Sequence, residues 1–128
     1  MKTDRKAKNQ GMNWIRQEKR LAIYLRDGMA CAYCQATIED GAKLTLDHVK
    51  PYSCGGSNSE RNLMTCCMTC NSSRGNRSIG DWAAAVAQYR NHGQTAGMVL
   101  SYVASQTRKS LSPFKSEAAE LIARRRTA

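Results

Sequence analysis

A chain of 128 residues with a net charge of +10, six cysteines and a mean hydropathy of −0.58 is about one domain long, with material for a modest core. It holds no run of about 18 apolar residues, and its start, MKTDRKAKNQ, lacks the apolar stretch of a signal peptide. That argues against a membrane protein or a secreted disulfide scaffold, and a soluble, cytoplasmic protein with reduced thiols is expected.

The charge is unevenly spread. Residues 1–26 carry eight bases against two acids, residues 83–128 carry seven against two, and residues 27–82 carry five against six. Basic flanks around a near-neutral, cysteine-bearing centre suit a polyanion grip around a site that itself holds cations, although a solvated basic surface would give the same count.

In chain order, Asn13 is placed to cap a helix over WIRQEKRLAIYLRD, with Trp14, Leu21 and Leu25 at helical spacing and Gly28 as its stop. MACAYCQATIEDGAK reads as a knuckle and turn. KLTLDH alternates, with Leu44 and Leu46 on one face and Lys43, Thr45 and Asp47 on the other, as a strand does. VKPYSCGGSNSER is a loop, and NLMTC is a short antiparallel return strand. A helix starts within CMTCNSSRG and stops near Gly75. Ser78, with Asp81 three residues on, opens IGDWAAAVAQYRNH. A further helix runs over roughly 95–107, and Ser112 before Pro113 opens the last, whose Phe114, Ala118, Leu121 and Ile122 form an apolar stripe.

Two C-x-x-C pairs supply the four soft ligands of a closed structural zinc site: Cys31 and Cys34, then Cys67 and Cys70. Cys66 with Cys70 is the alternative second pair. Nothing like a thioredoxin context surrounds either knuckle, which sets a redox pair aside. Cys54 and the remaining cysteine then read as ordinary thiols. Between the knuckles, Asp47 and His48 are neighbours on a strand, so their side chains leave on opposite sides. Asn62 opens the return strand, and Asn71 lies on the first turn of the helix beyond it. A hairpin packed on that helix brings Asp47 and Asn71 together.

LDHVKPYSCGGSNSERNLMTCCMTCNSSRGN, with CAYC upstream, resembles the HNH nuclease family over roughly 29–82, in the variant with Asn in place of His on the helix. The resemblance implies an α+β fold: a ββα-metal core of antiparallel hairpin plus helix, with a four-cysteine structural zinc site and flanking N- and C-terminal helices. It implies His48 as general base, Asp47 and Asn71 as ligands of a catalytic magnesium or manganese ion, Asn62 as the residue that holds the loop and orients the histidine, and Arg74 as a phosphate contact. Arg77 reads equally as a phosphate contact or a solvated charge. An imidazole suits deprotonation of water near neutral pH, and two protein oxygen ligands suit magnesium or manganese. The expected organisation is a basic tail (1–12), a nuclease domain with zinc knuckles (13–82) and a helical extension (83–128). The expected activity is endonucleolytic hydrolysis of DNA, one strand per site, by a monomer or homodimer. Two alternatives stay open: a non-catalytic zinc-knuckle DNA-binding module in which Asp47 and His48 brace the hairpin, and a subunit of a larger phage or restriction assembly that docks through residues 94–128.

Overall fold

A computed structural model describes residues 14–127 of the chain. Helix α1 spans Gln17–Arg26, and the chain leaves it through Gly28 in the left-handed region at φ 76°. The expected start three residues earlier is not met: Ile15 is buried in the core and Trp14 packs on His48, so both precede the helix as packing residues. The cap expected from Asn13 lies outside the described residues. The first knuckle is a tight turn in which the Cys31 N–H donates to Ala36 O and the Gln35 N–H to Cys31 O.

Strands β1 (Leu44–His48) and β2 (Leu63–Cys67) pair antiparallel, with Asp47 opposite Met64 and His48 opposite Leu63. Directly paired residues share a face of the hairpin. Thr45, Asp47, Met64 and Cys66 therefore face one way, and Leu44, Leu46, His48, Leu63 and Thr65 face the other. The first face carries a core of Cys31, Tyr33, Met64, Cys66, Cys70, Trp82, Val86 and Val99. The second carries a smaller core of Ile23, Leu46, Leu63, Leu111 and Ala118.

Helix α2 (Met68–Arg74) follows β2 directly, capped by the Cys67 thiol accepting from the Cys70 N–H. Helix α3 (Ile79–Ala85) is capped by the Ser78 hydroxyl, which accepts from the Asp81 N–H, and runs into a π turn over Val86–Arg90 that the sequence does not announce. Helix α4 (Ala96–Arg108), capped by Thr95, packs on α3. Helix α5 (Ser112–Thr127) returns across α1 and buries Ala118 against it.

A buried ion pair ties these layers together. Arg26 donates through Nε and Nη2 to the two Asp27 carboxylate oxygens at 2.8 and 2.9 Å. The same carboxylate accepts from the Thr65 N–H of β2 and from Gln106 Nε2 of α4, while Arg26 also reaches the carbonyls of Glu60 and Leu63. The bonds around these two charges offset their loss of water. The α+β architecture expected from the sequence is thus present: hairpin, following helix, knuckles and flanking helices. Among the described residues no helix is long and apolar enough to cross a membrane.

Candidate active site and zinc centre

The knuckles meet where the β2–α2 junction passes the first cysteine turn. The thiols of Cys31, Cys34, Cys67 and Cys70 lie within 4.8 Å of one another, and Cys34 Sγ is 3.7 Å from Cys67 Sγ. A tetrahedron with Zn–S bonds of about 2.3 Å has S···S edges of about 3.8 Å, so the cluster has the dimensions zinc requires. The thiols already share protons unevenly. Hydrogen bonds from Cys66 and Cys70 push Cys31 well below the ordinary thiol range, and the bond to Cys31 pushes Cys70 well above it. Cys66, fully buried, points at the Cys67 carbonyl beside the cluster, and Cys54 is exposed on the loop.

Four thiolates around Zn²⁺ leave a net negative centre, and Arg90 stands against it with Nε 3.0 Å from Cys70 Sγ. The π turn carries this guanidinium to the cluster, and the next residue, Asn91, donates from its side chain to the Tyr33 carbonyl of the first knuckle at 3.1 Å. Arg90 has no sequence signal, because its contact depends on a helix irregularity 20 residues from the cysteine it meets.

A cleft of about 260 Å³ lies at the open end of β1, lined by Asp47, His48, Tyr52, Asn71, Arg74 and Asn76 among others. Asp47 is 6% exposed. Its Oδ2 accepts from the Tyr33 hydroxyl at 2.6 Å and from Arg74 Nη1 at 2.5 Å. Burial pushes the Asp47 carboxyl up, while the Arg74 charge and the Tyr33 hydrogen bond pull it back. Oδ1 takes no hydrogen bond from a described residue. The Asn71 amide is oriented in the same way: its Nδ2 donates to Thr45 Oγ1 at 2.9 Å and to the Leu46 carbonyl, which leaves its oxygen without a partner among the described residues. Asp47 and Asn71 thus both line the cleft with one end of the side chain held by the scaffold and one oxygen unbonded among the described residues.

His48 leaves the hairpin on the opposite side from Asp47, against Trp14 at a ring distance of 5.0 Å and Tyr52 at 5.6 Å. Its Nε2 lies 2.8 Å from Asn58 Oδ1. An amide oxygen can only accept, so Nε2 is the donor in this bond.

Asn62 acts one step further away than expected. It accepts from the Lys50 N–H at 2.8 Å and donates to the carbonyls of Lys50 and Ser57, so it closes the loop, while Asn58 inside that loop touches the imidazole. Asn58 carries no sequence signal, because CGGSNSERN offers several polar residues and nothing in the spacing singles out one. Gly56 sits where the loop crosses itself: a Cβ there would lie 1.8 Å from the Lys50 carbonyl oxygen.

Arg74, expected as a phosphate contact, is tied to the scaffold. It is 1% exposed, and besides Asp47 it donates to the carbonyls of His48, Val49 and Arg77. A guanidinium so occupied holds β1 and Asp47 in place. Arg77 is exposed, with its guanidinium 5.5 Å from the centre of the Trp82 ring and Nη2 on the Ser73 carbonyl.

Residues 31–77 match the model of a family described as HNH endonuclease. The match runs from the first knuckle through the hairpin and α2, over a little over a third of the chain, and agrees with the resemblance that its motifs carry. It points to a nuclease or DNA-binding role with DNA as the substrate. Comparison with curated proteins and with solved structures found no significant match.

Proposed function

We propose that the protein is a zinc-stabilised, metal-dependent DNA endonuclease whose active site is the cleft at the end of β1. The observation that carries this reading is the pair of oxygens, Asp47 Oδ1 and Asn71 Oδ1, without partners among the described residues, on side chains that line the cleft with His48. Two hard oxygen donors suit magnesium or manganese, which keep several waters and accept phosphate oxygens. When bound, the ion offsets the charge that builds on the phosphate and on the leaving oxygen.

The chain's own residues do the rest. Arg74 and Tyr33 hold Asp47 by Oδ2, so its free oxygen keeps a fixed direction. The β1 backbone and Thr45 hold Asn71 by its amide nitrogen. Asn58 keeps the proton of His48 on Nε2, and Nδ1 takes the proton of the attacking water as its oxygen bonds to phosphorus. The P–O bond to the departing strand end then breaks, and the leaving oxygen takes a proton from solvent water. Asn62 and Gly56 keep the loop that carries Asn58 closed. Arg77 is exposed near the cleft and supplies a phosphate contact in this reading.

The nuclease module covers residues 13–82, and 83–128 is a helical extension that supports the zinc core and offers a docking face. One site cuts one strand, so a monomer nicks, and double-strand cleavage requires a homodimer or a second binding event. The test is His48→Ala. Nicking of supercoiled plasmid in manganese should disappear, while zinc content and DNA affinity stay near wild type. Full activity in that variant would overturn His48 as the base, and a wild-type protein that binds DNA but never nicks it would leave the zinc-knuckle DNA-binding module as the reading.

A further inference from the structure

Helices α1 and α5 enclose a trough on the side of the molecule where His48 leaves the hairpin. It consists of two adjoining hollows of about 660 and 670 Å³ that share Glu18, Lys19, Lys115 and Ala119. Six bases line it from separated parts of the chain: Arg16, Lys19, Arg61, Lys109, Lys115 and Arg126. Two acids line it, Glu18 and Glu60, and Glu60 is paired with Lys19 at 3.7 Å. Among the described residues Arg16, Lys109, Lys115 and Arg126 have no acidic partner. Four unpaired cations drawn to one concavity repel one another, and a neutral ligand would not relieve that. A polyanion would.

The trough is joined to the cleft by one residue. Lys19 Nζ donates to the Asn58 carbonyl at 2.9 Å, and the Asn58 side chain meets His48 Nε2 at 2.8 Å. A chain of phosphates leaving the cleft past His48 therefore meets Lys19 first and the α1–α5 trough next. Between the bases the lining is serines and alanines together with Leu111, Ile122 and a single amide, Gln17. Such a surface offers charge to a backbone and, besides its bases, one group suited to reading base edges.

Resting on the nuclease reading above, we infer that the α1–α5 trough binds the sugar–phosphate backbone of the DNA flanking the scissile phosphate, without regard to its sequence. The basic residues of the C-terminal segment then serve the substrate directly, and the extension is a part of the DNA grip rather than a mere cover for the core.

The experiment uses the full chain and the double variant Lys115→Ala/Arg126→Ala, both on α5 and outside the cleft. Affinity for a random-sequence duplex is measured across a salt series, alongside hydrolysis in manganese of bis(p-nitrophenyl) phosphate, a diester too small to span cleft and trough. The variant should lose about tenfold in duplex affinity at low salt, and the slope of log K against log salt should fall by about two, one for each lost phosphate contact. The variant's small-diester rate should match wild type. An unchanged affinity and slope would overturn the trough while leaving the nuclease reading intact. A wild-type protein that binds duplex with the expected slopes but never hydrolyses the small diester would overturn the nuclease reading and leave the trough standing. Binding of phosphatidylserine vesicles in preference to duplex, lost in the same variant, would assign the trough to a membrane surface and overturn the inference.

Discussion

At the scale of single residues, the cleft works by occupying one end of each side chain and leaving the other free. Asp47 is held by Oδ2, Asn71 by Nδ2 and His48 by Nε2, and in the proposed reaction the atoms left over are two metal-binding oxygens and the base. Each hydrogen bond adds only about 1 kcal/mol to stability, so its main effect is to fix direction. The loop that carries Asn58 depends on two adjacent glycines for different reasons. Gly55 needs the left-handed backbone, φ 90°, in open space, whereas Gly56 has a carbonyl where its Cβ would be. Gly55→Ala should therefore cost about 1–2 kcal/mol, the penalty for an L-residue in that conformation. Gly56→Ala should cost about 3 kcal/mol or more, because backbone has to move, and should also slow plasmid nicking. Thermal melting of the two variants side by side checks the ranking, and equal losses would show that the loop can yield at Lys50.

At the scale of elements, α2 is the link between the four-cysteine cluster and the cleft. Seven residues are too few for a helix to hold itself in water, and its position comes from its ends. Cys67 caps it and joins the thiol cluster, Cys70 sits on its first turn, Asn71 follows, and Arg74 in the last turn bonds β1. Cys67→Ser should lose zinc and melt far below wild type, while Cys66→Ser, outside the cluster, should keep its zinc and lose about 1 kcal/mol. Metal analysis with thermal melting distinguishes the two, and the reverse ranking would mean that Cys66 is the ligand. Stripping zinc with a chelator should abolish nicking even in excess manganese, since the helix start that aims Asn71 would go with it.

For the molecule as a whole, the Arg26–Asp27 pair is the joint through which α1, β2 and α4 meet. Removing one buried partner strands the other charge, a loss of about 3–5 kcal/mol. Asp27→Ala should lower the urea midpoint by a corresponding amount with an unchanged slope, as reported by the fluorescence of Trp14 and Trp82. If Trp82 alone were to shift, the two cores would be unfolding separately. The core that contains the four-cysteine cluster and the α1–α5 core lie on opposite faces of one hairpin of two five-residue strands, so neither core is complete without it.

Local signals in the sequence were sufficient for the hairpin, the knuckle pairs and the helix order, and for singling out Asp47, His48, Asn62 and Asn71 as residues to locate. Alternation, C-x-x-C spacing, caps and glycine stops act within a few residues, and that is the range over which they can be read. The brace of Arg74 on Asp47, the approach of Asn58 to His48, the arrival of Arg90 at the thiols and the convergence of six bases on one trough join residues that are mostly distant along the chain. Which partners a long polar side chain finds depends on how the layers pack, and only the tertiary structure decides that.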